Sequence, residues 1–220
     1  MDVSAVLWAV AWPNNGTVDT FISGFKTWLS VRLLEADVHL RFDRYRDYST
    51  KSTTRSARAA ATRVHQLDLR TPIPAQDAVL KNSANKAQLN SLICEQILTD
   101  DQFLHNVTQH HRLVVTGYEA VPTQVSKGRK LPHLDLASTH EEADIIIAQQ
   151  AIHLAKEDEK SQIGVLCDDT DVFVMLGYFS AKENVRSSLT MESPIQVRSC
   201  IDIRHTARQH MELARQRQLR

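Results

Sequence analysis

The chain has 220 residues, of which 42% are hydrophobic and 24% charged, a composition typical of a folded domain with a sizeable core. Basic and acidic residues are equal in number, 26 of each, and no apolar run approaches the roughly 20 residues of a membrane-spanning helix, so no membrane partner is expected. Three cysteines without a CxxC pair argue against a disulfide scaffold or a cysteine zinc site and favour a reducing, intracellular compartment.

The charge is balanced overall but divided into blocks along the chain. Residues 44–63 hold six basic residues and one acid, whereas residues 139–171 hold nine acids and two lysines. Residues 204–220 carry five arginines and one acid. Opposed blocks suit a protein that holds cations in one place and a polyanion in another, although a solvated helix face is an equal alternative for any single block.

Hydrophobic periodicity and turn signals predict strands that alternate with helices. In chain order we expect a buried strand or a strand running into a helix at 1–11, an amphipathic helix at 18–33, a strand at 38–42, a basic helix at 51–65, a helix at 85–98, a strand at 113–115, an irregular stretch at 118–138, a helix at 139–156, a strand at 163–167, and a late strand at 197–203 before an arginine-rich helix.

This alternation predicts an α/β fold with a mainly parallel central sheet and helices on both faces. We expect one domain over residues 1–203, which includes a basic segment at 51–66, and a basic helix or tail at 204–220. Ligands of such sheets bind beyond the carboxyl ends of the strands.

Carboxylates follow the predicted strands at those ends. Asp43 closes one strand, and Asp169 and Asp171 follow another. If the extended backbone continues past Cys167, side chains two residues apart point the same way, so Asp169 and Asp171 would aim together. Converging carboxylates repel one another unless cations lie between them, and hard oxygen ligands suit Mg²⁺ or Mn²⁺.

Each acidic residue also has a structural alternative. Glu142 completes a T-x-x-E capping box with Thr139, and acids in a first helical turn favour the helix dipole in any case. Asp43 is equally suited to a turn. On a regular helix Glu141 and Asp144 face alike more readily than residues two apart, so Glu141 rivals Glu142 as the residue that shares a site with Asp144.

Four segments together resemble the PIN-like domain of the flap-endonuclease superfamily. T-H-E-E-A-D, which ends at Asp144, precedes an apolar strand and D-D-T-D-V, which begins at Asp168. M-D-V-S at residues 1–4 is similar to the family's opening I-D-x-S strand, and L-R-F-D, which ends at Asp43, is similar to its V-F-D strand. The H-E-E-A-D and D-D-T-D-V-F-V motifs are similar to those of large uncharacterised animal proteins built on this domain.

The resemblance implies a divalent-metal-dependent nuclease located in the nucleus or cytoplasm. Its metal ligands would hold two Mg²⁺ or Mn²⁺ ions, and such a pair activates a water and stabilises the leaving oxygen of a phosphodiester. These implied ligands are Asp2, Asp43, Glu142, Asp144, Asp169 and Asp171. An arch-like basic segment would contact the backbone of single-stranded or branched DNA or RNA through Arg44, Arg46, Lys51, Arg55, Arg58 and Arg63.

Two departures from the family favour a truncated or inactive copy. The active family has a further aspartate downstream, which this sequence lacks, and the first implied ligand is already residue 2. The alternative function is therefore a non-catalytic module that binds nucleic acid or protein on the same fold. A nucleotide-sugar transferase that uses Asp169 and Asp171 as its D-x-D is a third class, but it leaves Asp2 and Asp43 without a role.

Overall fold

The structure is a computed structural model that describes residues 1–43, 63–117, 119–138, 143–196 and 200–209. It is a mixed α/β protein whose described strands form two small sheets. The chain divides into two units: a mid-chain unit of residues 7–141, and a terminal unit of residues 1–6 together with 142–220. The boundary between them falls within α1 (Val3–Ala9).

The mid-chain unit contains a four-stranded sheet and several helices. Its strands are β1 (Val38–Arg41), β2 (Leu113–Thr116), β3 (Thr123–Ser126) and β4 (Arg129–Pro132), in that spatial order. The first pair is parallel and the other two are antiparallel. Its helices are α2 (Val18–Leu33), α3 (Gln76–Leu80), α4 (Ser83–Thr99) and α5 (Asp101–Val107).

Helix α2 forms as its periodicity predicts. Its apolar residues at helical spacing, from Val18 to Leu33, are buried, and burial of this stripe outweighs the weak propensity of its β-branched residues. Its amino-terminal end carries a capping box in which Thr17 and Thr20 exchange side-chain to backbone hydrogen bonds. The capping box fixes the start of the helix directly after the turn at residues 13–16.

A bidentate ion pair fixes the register of the parallel pair. The carboxylate of Asp37 accepts the backbone N–H of Arg112 at 2.8 Å and is 2.8 Å from both Nε and Nη2 of its guanidinium. These residues precede β1 and β2 directly, and Val38 N–H donates to the carbonyl of Arg112. Although partial burial alone would raise the pKa of Asp37, these hydrogen bonds hold its pKa below the usual value.

The β3–β4 hairpin corrects one sequence expectation. Residues 118–138 were predicted to be irregular, but two strands of four residues lie within them. A two-residue turn joins the strands, and both of its residues, Lys127 and Gly128, have positive φ, 50° and 72°. That geometry is a type I′ turn, whose twist matches the twist of the flanking strands.

The terminal unit contains β5 (Gln162–Leu166), β6 (Ser188–Glu192) and β7 (Cys200–Asp202), with helices α6 (Ala143–Glu157) and α7 (Thr170–Lys182). Strands β5 and β6 are parallel and joined through α7, whereas β7 pairs antiparallel with β6. Apolar residues of both helices and of β5 and β6 form one core cluster, including Ala148, Val165, Val172, Leu176 and Leu189.

The other expectations meet mixed outcomes. The helix at 85–98 and the strands at 38–42, 113–115 and 163–167 are confirmed to within two residues. Both sheets are mixed, so the prediction of a mainly parallel sheet holds only for the β1–β2 and β5–β6 pairs. Residues 3–9 are helical, and residue 2 makes a single bridge where a strand was one of the expectations. The predicted basic helix at 51–65 falls largely outside the described residues.

None of the helices in the described ranges is both long and apolar enough to cross a membrane.

Candidate functional site

Asp2 lies at the carboxyl end of β5 in the terminal unit. Its backbone N–H donates to the carbonyl of Leu166 at 2.9 Å, which extends the pairing of β5 by one residue. One carboxylate oxygen, Oδ1, accepts the backbone N–H of Ser4 at 2.9 Å, and the residue is 9% exposed. Asp2 thus lies at the carboxyl end of a strand, although only the resemblance had singled it out.

Asp169 and Asp171 belong to the start of α7. Asp169 is the N-cap residue, and its Oδ1 accepts the backbone N–H of Asp171 at 2.7 Å. The expectation that an extended backbone aims both side chains together is wrong, because the capping interaction starts the helix at Thr170. Asp171 therefore lies in the first turn of the helix, and both carboxylates are exposed.

Cys167 lies among three of the predicted acids. Its Sγ is 3.8 Å from Oδ2 of Asp2 and accepts the backbone N–H of Asp169 at 3.4 Å. Burial raises the pKa of the thiol to about 12, and the charges of Asp2, Asp144 and Asp169 act in the same direction. Asp2 and Asp169 contact Cys167 directly, and the charge of Asp144 acts on the same thiol. We call Asp2, Asp144 and Asp169 the acidic group.

The acidic group is rich in oxygen ligands of the type that Mg²⁺ and Mn²⁺ prefer. One oxygen of Asp2 and one of Asp169 accept a backbone N–H of the helix that follows, and Oδ2 of Asp2 faces the thiol of Cys167. In the part of the chain that the structure describes, no three His, Cys, Asp or Glu side chains converge closely enough to hold one metal ion.

Asp43 lies in the mid-chain unit, two residues after β1. The preceding residue, Phe42, still donates its N–H to the carbonyl of Thr116 at 3.0 Å. Oδ2 of Asp43 is 3.8 Å from Nζ of Lys86, a residue of α4, and both side chains are largely buried. Lys86 was not predictable from the sequence, because no motif marks a lysine on a helix as the partner of a strand-end aspartate.

Several predicted site residues lie outside the described residues. These are Glu142 with its rival Glu141, and the basic residues Arg44, Arg46, Lys51, Arg55 and Arg58. Arg63 is described and exposed, and its carbonyl accepts Nδ2 of Asn85 at 3.0 Å. Their roles in binding metal or nucleic acid stay predictions.

The central position of Cys167 was also missed from the sequence. It directly precedes the D-D-T-D motif at the end of an apolar strand, and this position was the available signal. Because its raised pKa keeps the Cys167 thiol neutral at physiological pH, this buried residue adds no further negative charge to the acidic group.

No protein-family model, curated protein or solved structure matches the chain. The functional assignment therefore rests on the residues themselves.

Proposed function

We propose that the protein is a divalent-metal-dependent nuclease of PIN-like type that hydrolyses phosphodiesters of nucleic acid in the nucleus or cytoplasm. The observation that carries the proposal is the acidic group: Asp2 and Asp169, which are remote in sequence, both contact Cys167, and the charge of Asp144 acts on the same thiol. Carboxylates that the fold brings together from remote positions repel one another, and a shared cation would offset that repulsion.

Under this proposal, the carboxylates of the chain would hold the metal ions. Asp2, Asp144 and Asp169 would hold Mg²⁺ or Mn²⁺ through their carboxylates, and Asp171 lies in the first turn of the same helix end. When bound, two such ions supply Lewis acidity, which activates a water and stabilises the leaving oxygen. The motif match assigns the same ligand role to Asp43 and Glu142, and a three-layer PIN-like arrangement would be the scaffold.

The basic segment would bind the nucleic-acid substrate. Arg44, Arg46, Lys51, Arg55 and Arg58, together with Arg63, would hold the backbone of single-stranded or branched DNA or RNA. Contacts of this type depend on salt and carry little sequence information.

Asp169→Asn is the sharpest test, because asparagine caps a helix as well as aspartate does. The variant keeps the start of α7 and removes only the charge. We expect Mn²⁺ to raise the melting temperature of the wild type, by the equivalent of about 2.7 kcal/mol at 100 times Kd, and to leave that of the variant unchanged. Cleavage of single-stranded and flapped substrates should fall by about 100-fold or more.

The matched control is Asp168→Asn, one residue earlier on the exposed surface. It removes the same charge outside the proposed ligand set, so both the Mn²⁺ shift and the cleavage should stay at wild-type levels. Equal responses of the two variants, or cleavage that persists in EDTA, would contradict the proposal.

A non-catalytic binding module on the same fold is the second candidate. The capping bonds of Asp2 and Asp169 favour it, because they give both carboxylates a structural role without any metal. This candidate predicts that wild-type protein binds nucleic acid or a protein in EDTA and never cleaves, and that Asp169→Asn binds equally well. Turnover that depends on Mn²⁺ would eliminate it.

A further inference from the structure

The tip of the β3–β4 hairpin is held firmly to the rest of the mid-chain unit. Lys127 N–H donates to the carbonyl of Thr108 at 2.7 Å, and Gly128 N–H donates to its hydroxyl at 2.9 Å. Thr108 is buried, and its hydroxyl also donates to the carbonyl of Leu104 at 2.7 Å. These bonds anchor the turn to the carboxyl end of α5.

Gly128 is required at this tip. Its φ of +72° disfavours any other residue, and a Cβ there would lie 3.2 Å from the backbone Cα of His105. The close approach of the turn to α5 and the left-handed backbone together fix the backbone conformation between Lys127 and Arg129.

The side chains of those two residues are exposed cations without an acidic partner among the described residues. Several other cations of the same unit form ion pairs with described residues, although Arg32, Arg63 and Arg70 do not: Lys26 with Asp100, Lys81 with Asp77, Lys86 with Asp43, and Arg112 with Asp37. Even Lys130, the next residue along β4, is 2.6 Å from Asp101. Two unpaired like charges on a rigid turn are favourable where an anion with repeated charges binds.

The simplest competing explanation is protection of a sheet edge. Strand β4 is exposed along its length and is an edge of the sheet, and lysine or proline on such a strand prevents pairing with another chain. Lys130 and Pro132 already serve that purpose within the strand. Lys127 lies in the turn beyond the strand, where edge protection does not need a charge.

We propose that the hairpin tip, formed by Lys127, Gly128 and Arg129, binds the phosphate backbone of nucleic acid. The inference rests on the proposed function only in taking nucleic acid as the partner, and it does not depend on catalysis. Lysine and arginine on a turn contact phosphates independently of sequence, and each phosphate neutralised releases condensed counterions. The tip would add to the basic segment a second, rigid point of attachment to the backbone.

The test is the double variant Lys127→Asn with Arg129→Gln. Asparagine is favoured at this turn position, so the hairpin is preserved while two charges are removed. Binding of a single-stranded oligonucleotide in EDTA is measured by fluorescence anisotropy across a salt series. We expect weaker binding for every sequence tried, and a slope of log K against log salt reduced by about 1.4, or about 0.7 for each phosphate that the variant no longer neutralises.

The matched control is Arg70→Gln with Lys81→Gln. It also removes two positive charges from exposed residues of the same unit. In this case each cation has an acidic neighbour, Asp68 for Arg70 and Asp77 for Lys81. We expect its slope to equal that of the wild type. Equal slopes for the hairpin and control variants would overturn the inference, as would wild-type protein that fails to bind nucleic acid in EDTA.

Two further outcomes distinguish phosphate binding at the hairpin from binding of an acidic protein and from the nuclease activity. Competition by polyglutamate as effective as that by DNA at equal charge would identify an acidic protein as the partner and overturn the proposal. Absence of Mn²⁺-dependent cleavage, with the slope still reduced in the hairpin variant, would support phosphate binding at the hairpin while refuting the nuclease.

Discussion

His39 lies in β1, where burial lowers the pKa of its imidazole to about 4. An imidazole in an unfolded chain has a pKa near 6.5, so between these two values the unfolded chain binds a proton that the folded protein does not. The folded pKa is the lower one. The contribution of this group to stability is therefore fully present above about pH 6.5 and is lost as the pH falls from 6.5 to 4.

We predict that the free energy of unfolding of the mid-chain unit falls by about 2 kcal/mol between pH 7 and pH 5 because of His39 alone. His39→Leu should remove most of this dependence. Tryptophan fluorescence in urea measures it, since Trp8, Trp12 and Trp28 all belong to this unit. The exposed His110→Gln is the control and should keep the wild-type dependence. An unchanged slope in His39→Leu would refute the prediction.

At the scale of elements, helix α4 holds a neighbouring segment through side-chain amides. Asn85 accepts His65 N–H at 2.7 Å and donates to the carbonyls of Arg63 and Ala78. Gln88 accepts Leu67 N–H at 3.0 Å and donates to the carbonyl of His65 at 2.9 Å. Two amides thus replace the partner strand that residues 63–67 lack, and these residues include the end of the proposed basic segment.

Asn85→Ala should destabilise the mid-chain unit by about 1–3 kcal/mol, because Asn85 is fully buried and its loss leaves backbone groups without partners. Urea unfolding followed by tryptophan fluorescence measures the loss. Asn106→Ala, on the exposed surface of α5, is the matched substitution and should stay within about 0.5 kcal/mol of the wild type. Equal effects of both variants would show that the amide hydrogen bonds contribute nothing.

The elements also show which features the sequence could predict. Helix α2 was predictable because its apolar stripe alone determines its buried face. The β3–β4 hairpin was not, since β4 is wholly exposed and carries no alternating pattern. The K-G turn at Lys127 was the signal, and it was overlooked because it departs from the usual N-G and D-G pairs.

The acidic group was predictable in part. The rule that ligands bind beyond strand ends associated Asp169 with the end of a predicted strand, and this strand is β5 in the structure. Asp2 was singled out only by the resemblance. The relative orientation of Asp169 and Asp171 was not predictable from period-two spacing, because helix capping competes with strand extension at Asp169. The only signal for Cys167 was its position directly before the D-D-T-D motif, because its contact with Asp2 joins residues 165 positions apart.

On the scale of the whole molecule, the three cysteines lie in two different units and differ in the reactivity of their thiols. Cys94 belongs to the mid-chain unit, while Cys167 and Cys200 belong to the terminal unit. Burial raises the pKa of Cys94 to about 11 and that of Cys167 to about 12, whereas Cys200 is exposed. Only thiolates react with disulfide reagents, so the two buried thiols are protected both by access and by ionisation.

We predict that one thiol per chain, that of Cys200, reacts rapidly with a disulfide reagent in the native protein at pH 8. Cys200→Ser should leave none. In urea, protection of Cys94 is lost when the mid-chain unit unfolds, and protection of Cys167 is lost when the terminal unit unfolds. Labelling followed by mass spectrometry therefore measures the stability of each unit separately. Rapid labelling of a second native thiol would contradict the burial of Cys94 and Cys167.

The bridge between Asp2 and the end of β5 has a consequence for the newborn polypeptide. A distance of 165 positions separates Asp2 from Cys167, and a ribosome needs roughly 8–30 seconds to add that many residues. Residues 7–141 are synthesised within that interval, whereas the partners of Asp2 do not yet exist. A nascent chain therefore lacks the complete acidic group until Cys167 and Asp169 have been synthesised, so the group forms only after residues 7–141 are complete.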